Sequence, residues 1–565
     1  MAGMALARPW FQYYPSGVPE EIDTPTKSLA TLIEQAAEAN PKAPATGFFG
    51  ATANYGKIHD QVMRAAEGLR QLGVKPGDRV AIILPNCPQH LVAFYAVLRL
   101  GAIVVEHNPL YTSRELRHMF EDHTARVAIC WDVNVPKIAN QPEDIQLDRI
   151  ISVNLTHAMP ALMRWALKIP IPPLRKMRAK LTARAPRTMP WKKLLANEPL
   201  RANHPQAAAE DLAVIQYTSG TTAQPKGVML THRNLYANTV QAQHWLVGMR
   251  EGRETFYAVL PLFHSFGLTL NATLGVLLRA HIILFPTFDP DMVLSAVRKK
   301  PPTVLGAVPP IFAALGSLAK KRRVKLNKTQ FCFSGAMKLT SEVVDLWEAT
   351  GAGVLIEGYG MTEASPVCFG NPLSDERRLG TIGVPFPSVD AKVVDIDDPG
   401  RTVEIGERGE LLVKGPNVFV GYWNNEVETA RTLLPDGWLR TGDVVTMEAD
   451  GFTTVVDRVK ELIITSGFNV APTEVEAVLR GHASIADAAV VGVPDLRRGE
   501  MVVAAVTLKQ GMELDEEEIQ AFAKKRLAPY KVPRRIFEFK TLPTSMLGKV
   551  LRSQVRDLVS PMLSS

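Results

Sequence analysis

Residues 217–228 read Tyr217-Thr218-Ser219-Gly220-Thr221-Thr222-Ala223-Gln224-Pro225-Lys226-Gly227-Val228. Five of the twelve carry a hydroxyl, two are glycines and one is a lysine. The apolar run Leu212–Ile215 precedes the segment, and Val228-Met229-Leu230 follows it. Glycines let backbone N–H groups turn inward, hydroxyls add donors, and Lys226 adds a point charge. A strand feeding such a loop suits a polyphosphate. It is not a Walker A loop, because Lys226 precedes Gly227 and no Gly-Lys-Ser/Thr is present. On composition alone, a polar connecting loop is the alternative.

The sequence before this segment alternates between helix and strand. Residues 57–73 predict an amphipathic helix with Val62, Ala65, Ala66, Leu69 and Leu72 on one side. Gly73 and Pro76-Gly77-Asp78 make a turn, and Val80–Leu84 is a short apolar strand. A helix over 88–100 ends at Gly101, and Ile103–Val105 is the next strand. Strand–helix–strand alternation implies a parallel sheet and an α/β fold. Residues 390–456 change to short β-rich pieces, Ala391–Val394, Gly409–Lys414 and Phe452–Val456, which predict a small barrel or sheet. After Asp457 the pattern is α+β: helix 472–480, strands Ala488–Val493 and Met501–Leu508, helix 515–527. The expected division is a large domain over 1–456 and a compact C-terminal domain over 457–565.

The chain has 565 residues, 46% hydrophobic and 21% charged, which excludes disordered, collagen-like and coiled-coil chains. Four cysteines, none in a CxxC pair, exclude a disulfide scaffold and a zinc ribbon. A reducing compartment and a cytoplasmic location are expected, and residues 1–17 show no secretory signal. The net charge of +7 is local. Residues 154–197 hold ten cations and no Asp or Glu, so the rest of the chain carries a net −3. The basic balance therefore does not argue for nucleic-acid binding. Six prolines interrupt this stretch, which also holds Trp165 and Trp191. It reads equally as a solvated face or as a basic surface that touches anionic lipid on the inner face of the membrane. Thr255–Leu278 spans 24 residues without Asp, Glu, Lys or Arg, but Pro261, His264, Ser265 and Asn271 interrupt it. We read it as a buried strand, a turn and a buried helix rather than a membrane span.

Four further constellations recur downstream: Gly358-Tyr359-Gly360-Met361-Thr362-Glu363, Trp438-Leu439-Arg440-Thr441-Gly442-Asp443, the run Asp457–Asn469, and Pro543–Arg552 with its Gly548-Lys549. A carboxylate at the end of a strand can hold Mg²⁺ against phosphate, and one after a glycine turn can accept from ribose hydroxyls. Each alone is also ordinary turn chemistry. All five together, in this order, resemble the adenylate-forming superfamily of acyl-CoA synthetases, nonribosomal adenylation domains and firefly luciferase. The resemblance covers roughly residues 25 to 555. It is strongest to bacterial long-chain fatty acid–CoA ligases, through Gly77–Val80, Leu84–Asn86, Asn108–Thr112, Pro261–Leu268, Asp457–Ile463 and Ser466–Val470.

The resemblance implies a large N-terminal domain of α/β subdomains with a small β-barrel, and an α+β C-terminal domain on a hinge at Asp457. It implies ATP, Mg²⁺ and coenzyme A as reactants, with a fatty acid joined first to AMP and then to the CoA thiol. Thr218, Ser219, Gly220, Thr221, Thr222 and Lys226 would hold the β- and γ-phosphates. Gly335, Ala336 and Tyr359 would border the adenine, Thr362 would meet the α-phosphate, and Glu363 would bind Mg²⁺. Asp443 and Arg458 would hold the ribose, Lys549 would reach the carboxylate and α-phosphate, and His264 would border the acyl carboxylate. Gly467, Phe468 and Lys531 would line or flank the CoA channel. Ala223 departs from the glycine usual in the family loop. An aryl- or dicarboxylate–CoA ligase, an acyl-AMP ligase, and a lipid-surface protein with a decayed ligase fold are the competing readings. The oligomeric state stays open, a homodimer included.

Overall fold

The structure is a computed structural model and describes residues 8–140, 145, 147–218, 225–465, 468–495, 499–545 and 548–563. Ser219, Gly220, Thr221, Thr222, Ala223 and Gly467 lie outside the described residues. The chain divides into two compact units. One comprises 1–390 with 413–439, the other 391–412 with 440–565.

The first unit holds two mainly parallel sheets, the nine-stranded one with antiparallel strands at both edges and the eight-stranded one with antiparallel strands at one edge. In the eight-stranded sheet, Arg79–Ile83 pairs in parallel with both Ile103–Glu106 and Val127–Trp131, and Ile103–Glu106 pairs with Leu212–Thr218. Between the first two strands runs the helix Pro88–Arg99, whose residues from Gln89 on are all buried. A helix apolar on every side belongs inside a fold, which is where this one lies. Leu212–Thr218 then pairs antiparallel with Lys226–Thr231, Thr218 opposite Lys226. Thr218 and Lys226, which flank residues 219–225, are thereby fixed to one sheet. The nine-stranded sheet runs in parallel from Pro44–Phe48 through Leu355–Gly360 and adds antiparallel strands at both edges.

Thr255–Leu278 folds as the strand Thr255–Ala258, a turn, and the helical run Ser265–Leu277, π-helical over Leu268–Leu274. Its polar side chains bond inside the protein: Thr273 Oγ1 donates to Thr269 O at 2.7 Å, and Thr269 Oγ1 to Ser365 O at 2.8 Å. Among the described residues no helix is long and apolar enough to cross a membrane.

In the second unit, the strands Asp390–Val394, Arg408–Lys414, Leu439–Met447 and Thr453–Arg458 form a four-stranded sheet. Its order is linear and its two outer strands do not pair, so the expected small barrel is an open sheet. The C-terminal part is a five-stranded sheet built on the antiparallel pair Ile485–Asp495 and Gly499–Leu508. The helix Pro472–Arg480 packs on one face with Val475 and Leu479, and Arg552–Met562 packs on the other with Val555 and Val559. The compact division differs from the expected boundary at 457. The strand Thr453–Arg458 runs without a break into this part, and Asp457 accepts from Thr473 N at 3.0 Å.

Candidate functional site

Two candidate site residues of the first unit, Lys226 and Glu363, meet at one tyrosine. Lys226, at the start of its strand, points its ammonium over the Tyr422 ring, 5.2 Å from the centroid. The Tyr422 hydroxyl donates to Glu363 Oε1 at 2.7 Å. Glu363 sits in the 3-10 turn Thr362–Ala364, just beyond the strand Leu355–Gly360, and its side chain is buried. Lys226 also forms an ion pair with Glu428. Lys226, expected to meet phosphate, and Glu363, expected to hold metal, thus both contact Tyr422.

Thr362 Oγ1 lies 3.4 Å from Ser265 Oγ, and Ser265 opens the helix that His264 caps. His264 Nδ1 accepts from Phe266 N at 3.3 Å. Desolvation lowers the His264 pKa to about 4, so the imidazole is neutral at physiological pH. A neutral ring can hydrogen-bond a carboxylate but brings no charge. Gly335 is buried against Phe266, and Ala336 follows at φ +67°, a strained conformation for alanine. Tyr359 stands edge-on to Phe369 with ring centroids 6.1 Å apart.

In the second unit, Asp443 and Arg458 face each other across paired strands, Arg458 Nε to Asp443 Oδ1 at 3.0 Å. Asp457 is buried, and burial raises its carboxyl pKa against hydrogen bonds from Thr473 N and Arg458 N. Lys549 sits in a turn closed by Ser545 N donating to Lys549 O at 2.7 Å. Surrounding protein desolvates its ammonium and lowers its pKa. The charge of Arg458 adds to this, and Glu461 and Asp443 oppose it. Lys531, a candidate for a CoA phosphate, is held by both oxygens of Glu474 at 2.6 and 2.8 Å, so it would first have to leave that pair. Phe468 lies on the short strand Phe468–Val470, opposite Thr465.

Sequence reasoning missed Tyr422, Glu428 and Glu357. The first two lie 59 residues from Glu363 and 202 from Lys226, and nothing local marks them. Glu357 is buried, accepts from Leu339 N at 3.0 Å, and has its pKa raised to about 7 by desolvation. Its position directly before Gly358-Tyr359-Gly360 was the available signal. Among the described residues no cluster of three His, Cys, Asp or Glu could cage a metal ion. A single buried carboxylate fits Mg²⁺, which keeps water and phosphate oxygens as its other ligands.

The chain belongs to the AMP-binding enzyme family, which it matches over residues 33–423. Residues 474–549 match the C-terminal domain of AMP-binding enzymes. It is 38% identical to a long-chain-fatty-acid–CoA ligase of Bacillus subtilis over 560 residues, 98% of each chain. Its fold is similar to that of ATP-bound MatB from Rhodopseudomonas palustris, with a TM-score of 0.78 and 27% identity, covering 94% of this chain and 99% of that one. A fatty acyl CoA synthetase of Mycobacterium tuberculosis gives 0.72 and 25%, covering 95% and 99%.

Proposed function

We propose that this chain is an AMP-forming acid–thiol ligase that converts a long-chain fatty acid, ATP and CoA to fatty acyl-CoA, AMP and pyrophosphate. The observation that carries this reading is the shared grip of Lys226 and Glu363 on Tyr422. A cation for phosphate and a hard carboxylate for Mg²⁺ stand one side chain apart. Two anions, carboxylate and triphosphate, must meet in the first half-reaction. Lys226 and Lys549 offset their repulsion, and bound Mg²⁺ would neutralise phosphate charge from Glu363. Ser219, Gly220, Thr221 and Thr222 supply donors to the same phosphates. Gly335, Ala336 and Tyr359 border the adenine, and Asp443 with Arg458 holds the ribose. Asp457 is the hinge about which Lys549 leaves after adenylation, and Gly467 with Phe468 then lines the path of the CoA arm.

The test is production of AMP, pyrophosphate and acyl-CoA from ATP, Mg²⁺, CoA and a panel of acids from acetate to oleate, with a dicarboxylate and a cinnamate. Palmitoyl- or oleoyl-CoA as best product is expected. Pyrophosphate with acyl-AMP but no thioester would identify an acyl-AMP ligase instead. No pyrophosphate with any acid would refute the reading.

Peripheral membrane contact through 154–197 is part of this proposal. The segment is anchored at its ends: Leu155 and Met159 are buried at one, Trp191 and Leu194 at the other. Between them Leu162 is 79% exposed and Trp165 64%, among cations and without a carboxylate. Exposed apolar groups ringed by positive charge fit an anionic bilayer surface. Co-sedimentation with phosphatidylglycerol vesicles is expected and should fall on Leu162→Glu with Trp165→Glu. Unchanged sedimentation after reversal of four cations would leave this stretch a solvated face.

A further inference from the structure

Two groups that the proposed chemistry needs are already engaged by one short segment of the chain. The strand Gly421–Tyr422 pairs antiparallel with Lys226–Thr231, Tyr422 opposite Val228. The helix Glu426–Thr432 follows at once, and Tyr422 N donates to Thr429 Oγ1 at 2.9 Å, which ties strand to helix. Asn425 caps the helix by accepting from Glu428 N at 3.1 Å. These bonds fix Glu428, in the first turn of that helix, facing Lys226. The two charged side chains of the pair are 17% and 13% exposed. The second oxygen of Glu428 lies 3.8 Å from Nη1 of Arg431, whose side chain is 73% exposed.

An ammonium withdrawn from water needs a counter-charge. Glu428 supplies it here, and the Tyr422 ring adds a weaker attraction. A triphosphate that approaches Lys226 must therefore compete with a carboxylate already in place. We propose that Glu428 is a resident counter-ion: it holds Lys226 in the nucleotide-free site, cedes it to the triphosphate, and then pairs with Arg431. The proposal rests on the assignment of Lys226 to phosphate binding. Glu428 thus acts as a positioning residue. It keeps the lysine extended at the phosphate site and lowers affinity for nucleotide, so that Lys226 makes its strongest bond only once phosphate is present. Arg431 sits one helical turn from Glu428, and this spacing lets the displaced carboxylate keep a partner.

Glu428→Gln keeps the shape and the Asn425 cap but removes the charge. In calorimetric titration of the full chain with α,β-methylene-ATP and Mg²⁺, this variant is expected to bind about fivefold tighter than the parent, the value of about 1 kcal/mol for a partly exposed pair. KM for ATP should fall by a similar factor while KM for palmitate stays. Glu428→Asp should restore parental affinity. Arg431→Gln removes the receiving partner and should weaken analogue binding about twofold. Unchanged or weaker analogue binding by a Glu428→Gln variant that unfolds at the parental temperature overturns the proposal. If that variant unfolds early, Arg431→Gln decides, and parental affinity there overturns it. A parent chain that binds no analogue would instead refute the assignment of the nucleotide site.

Discussion

A methyl group on Gly360 would lie 1.9 Å from Pro366 O, inside the bend that carries Glu363 to its place. Backbone cannot yield as a flexible side chain can, so Gly360→Ala should move the Thr362–Ala364 turn. We expect loss of most pyrophosphate release and a cost of about 2 kcal/mol or more, read as a lower thermal midpoint. Lys549→Ala should block acyl-AMP formation yet keep thioester formation from supplied acyl-AMP, and equal loss of both half-reactions would end that division of labour. Ala223→Gly should speed adenylation about fivefold if Ala223 takes a left-handed conformation, worth about 1 kcal/mol. An unchanged rate would show that it does not. The motif residues were legible because each lies in a short dense pattern. Tyr422 and Glu428 were not, because they meet Glu363 and Lys226 only through strand pairing.

Elements that bury one face or both were read close to where they form. The predicted helix 57–73 is Tyr55–Gln71, and the predicted strand Val80–Leu84 is Arg79–Ile83. The run from Ser265 to Leu277 was read as a buried helix from its lack of charge, and only its π-helical stretch had no sequence signal. Its placement depends on Gly267, where a Cβ would lie 2.0 Å from Pro261 O. Gly267→Ala should push the helix away from the turn that bears His264. We expect a lower thermal midpoint and a raised KM for the fatty acid. An unchanged KM would separate this helix from substrate binding. The small sheet at 390–458 was read as a barrel or sheet. Composition and turns set strand number, but closure depends on whether the outer strands can meet, and here they do not.

Acid should weaken the molecule, because it buries several neutral histidines. Burial lowers His107 to about 3, and His232 and His281 to about 4. Unfolded, these imidazoles take up protons near pH 6.5, so below that pH the unfolded chain binds more protons than the folded one. Stability then falls from about pH 6.5 toward pH 4, by about 1.4 kcal/mol per pH unit for each such histidine. Glu357, raised to about 7, works in the opposite sense, as do the Asp132 and Asp457 carboxyls that burial also raises, but the buried histidines outnumber them. Thermal midpoints should therefore drop between neutral pH and about pH 5, and a flat profile would contradict the buried neutral state. The proposed hinge has its own test. Proline at Asp457 fixes φ, so Asp457→Pro should change the two half-reactions unequally, and an equal effect would count against a hinge. The four native thiols, Cys87, Cys130, Cys332 and Cys368, are all buried, and none is in a disulfide. Burial pushes Cys87 and Cys332 up to about 12, which leaves almost no thiolate near neutral pH. Maleimide dyes should therefore ignore the natural chain. One cysteine engineered on the surface of each compact unit would then take a donor and an acceptor fluorophore, and energy transfer would report the distance between them through a catalytic cycle.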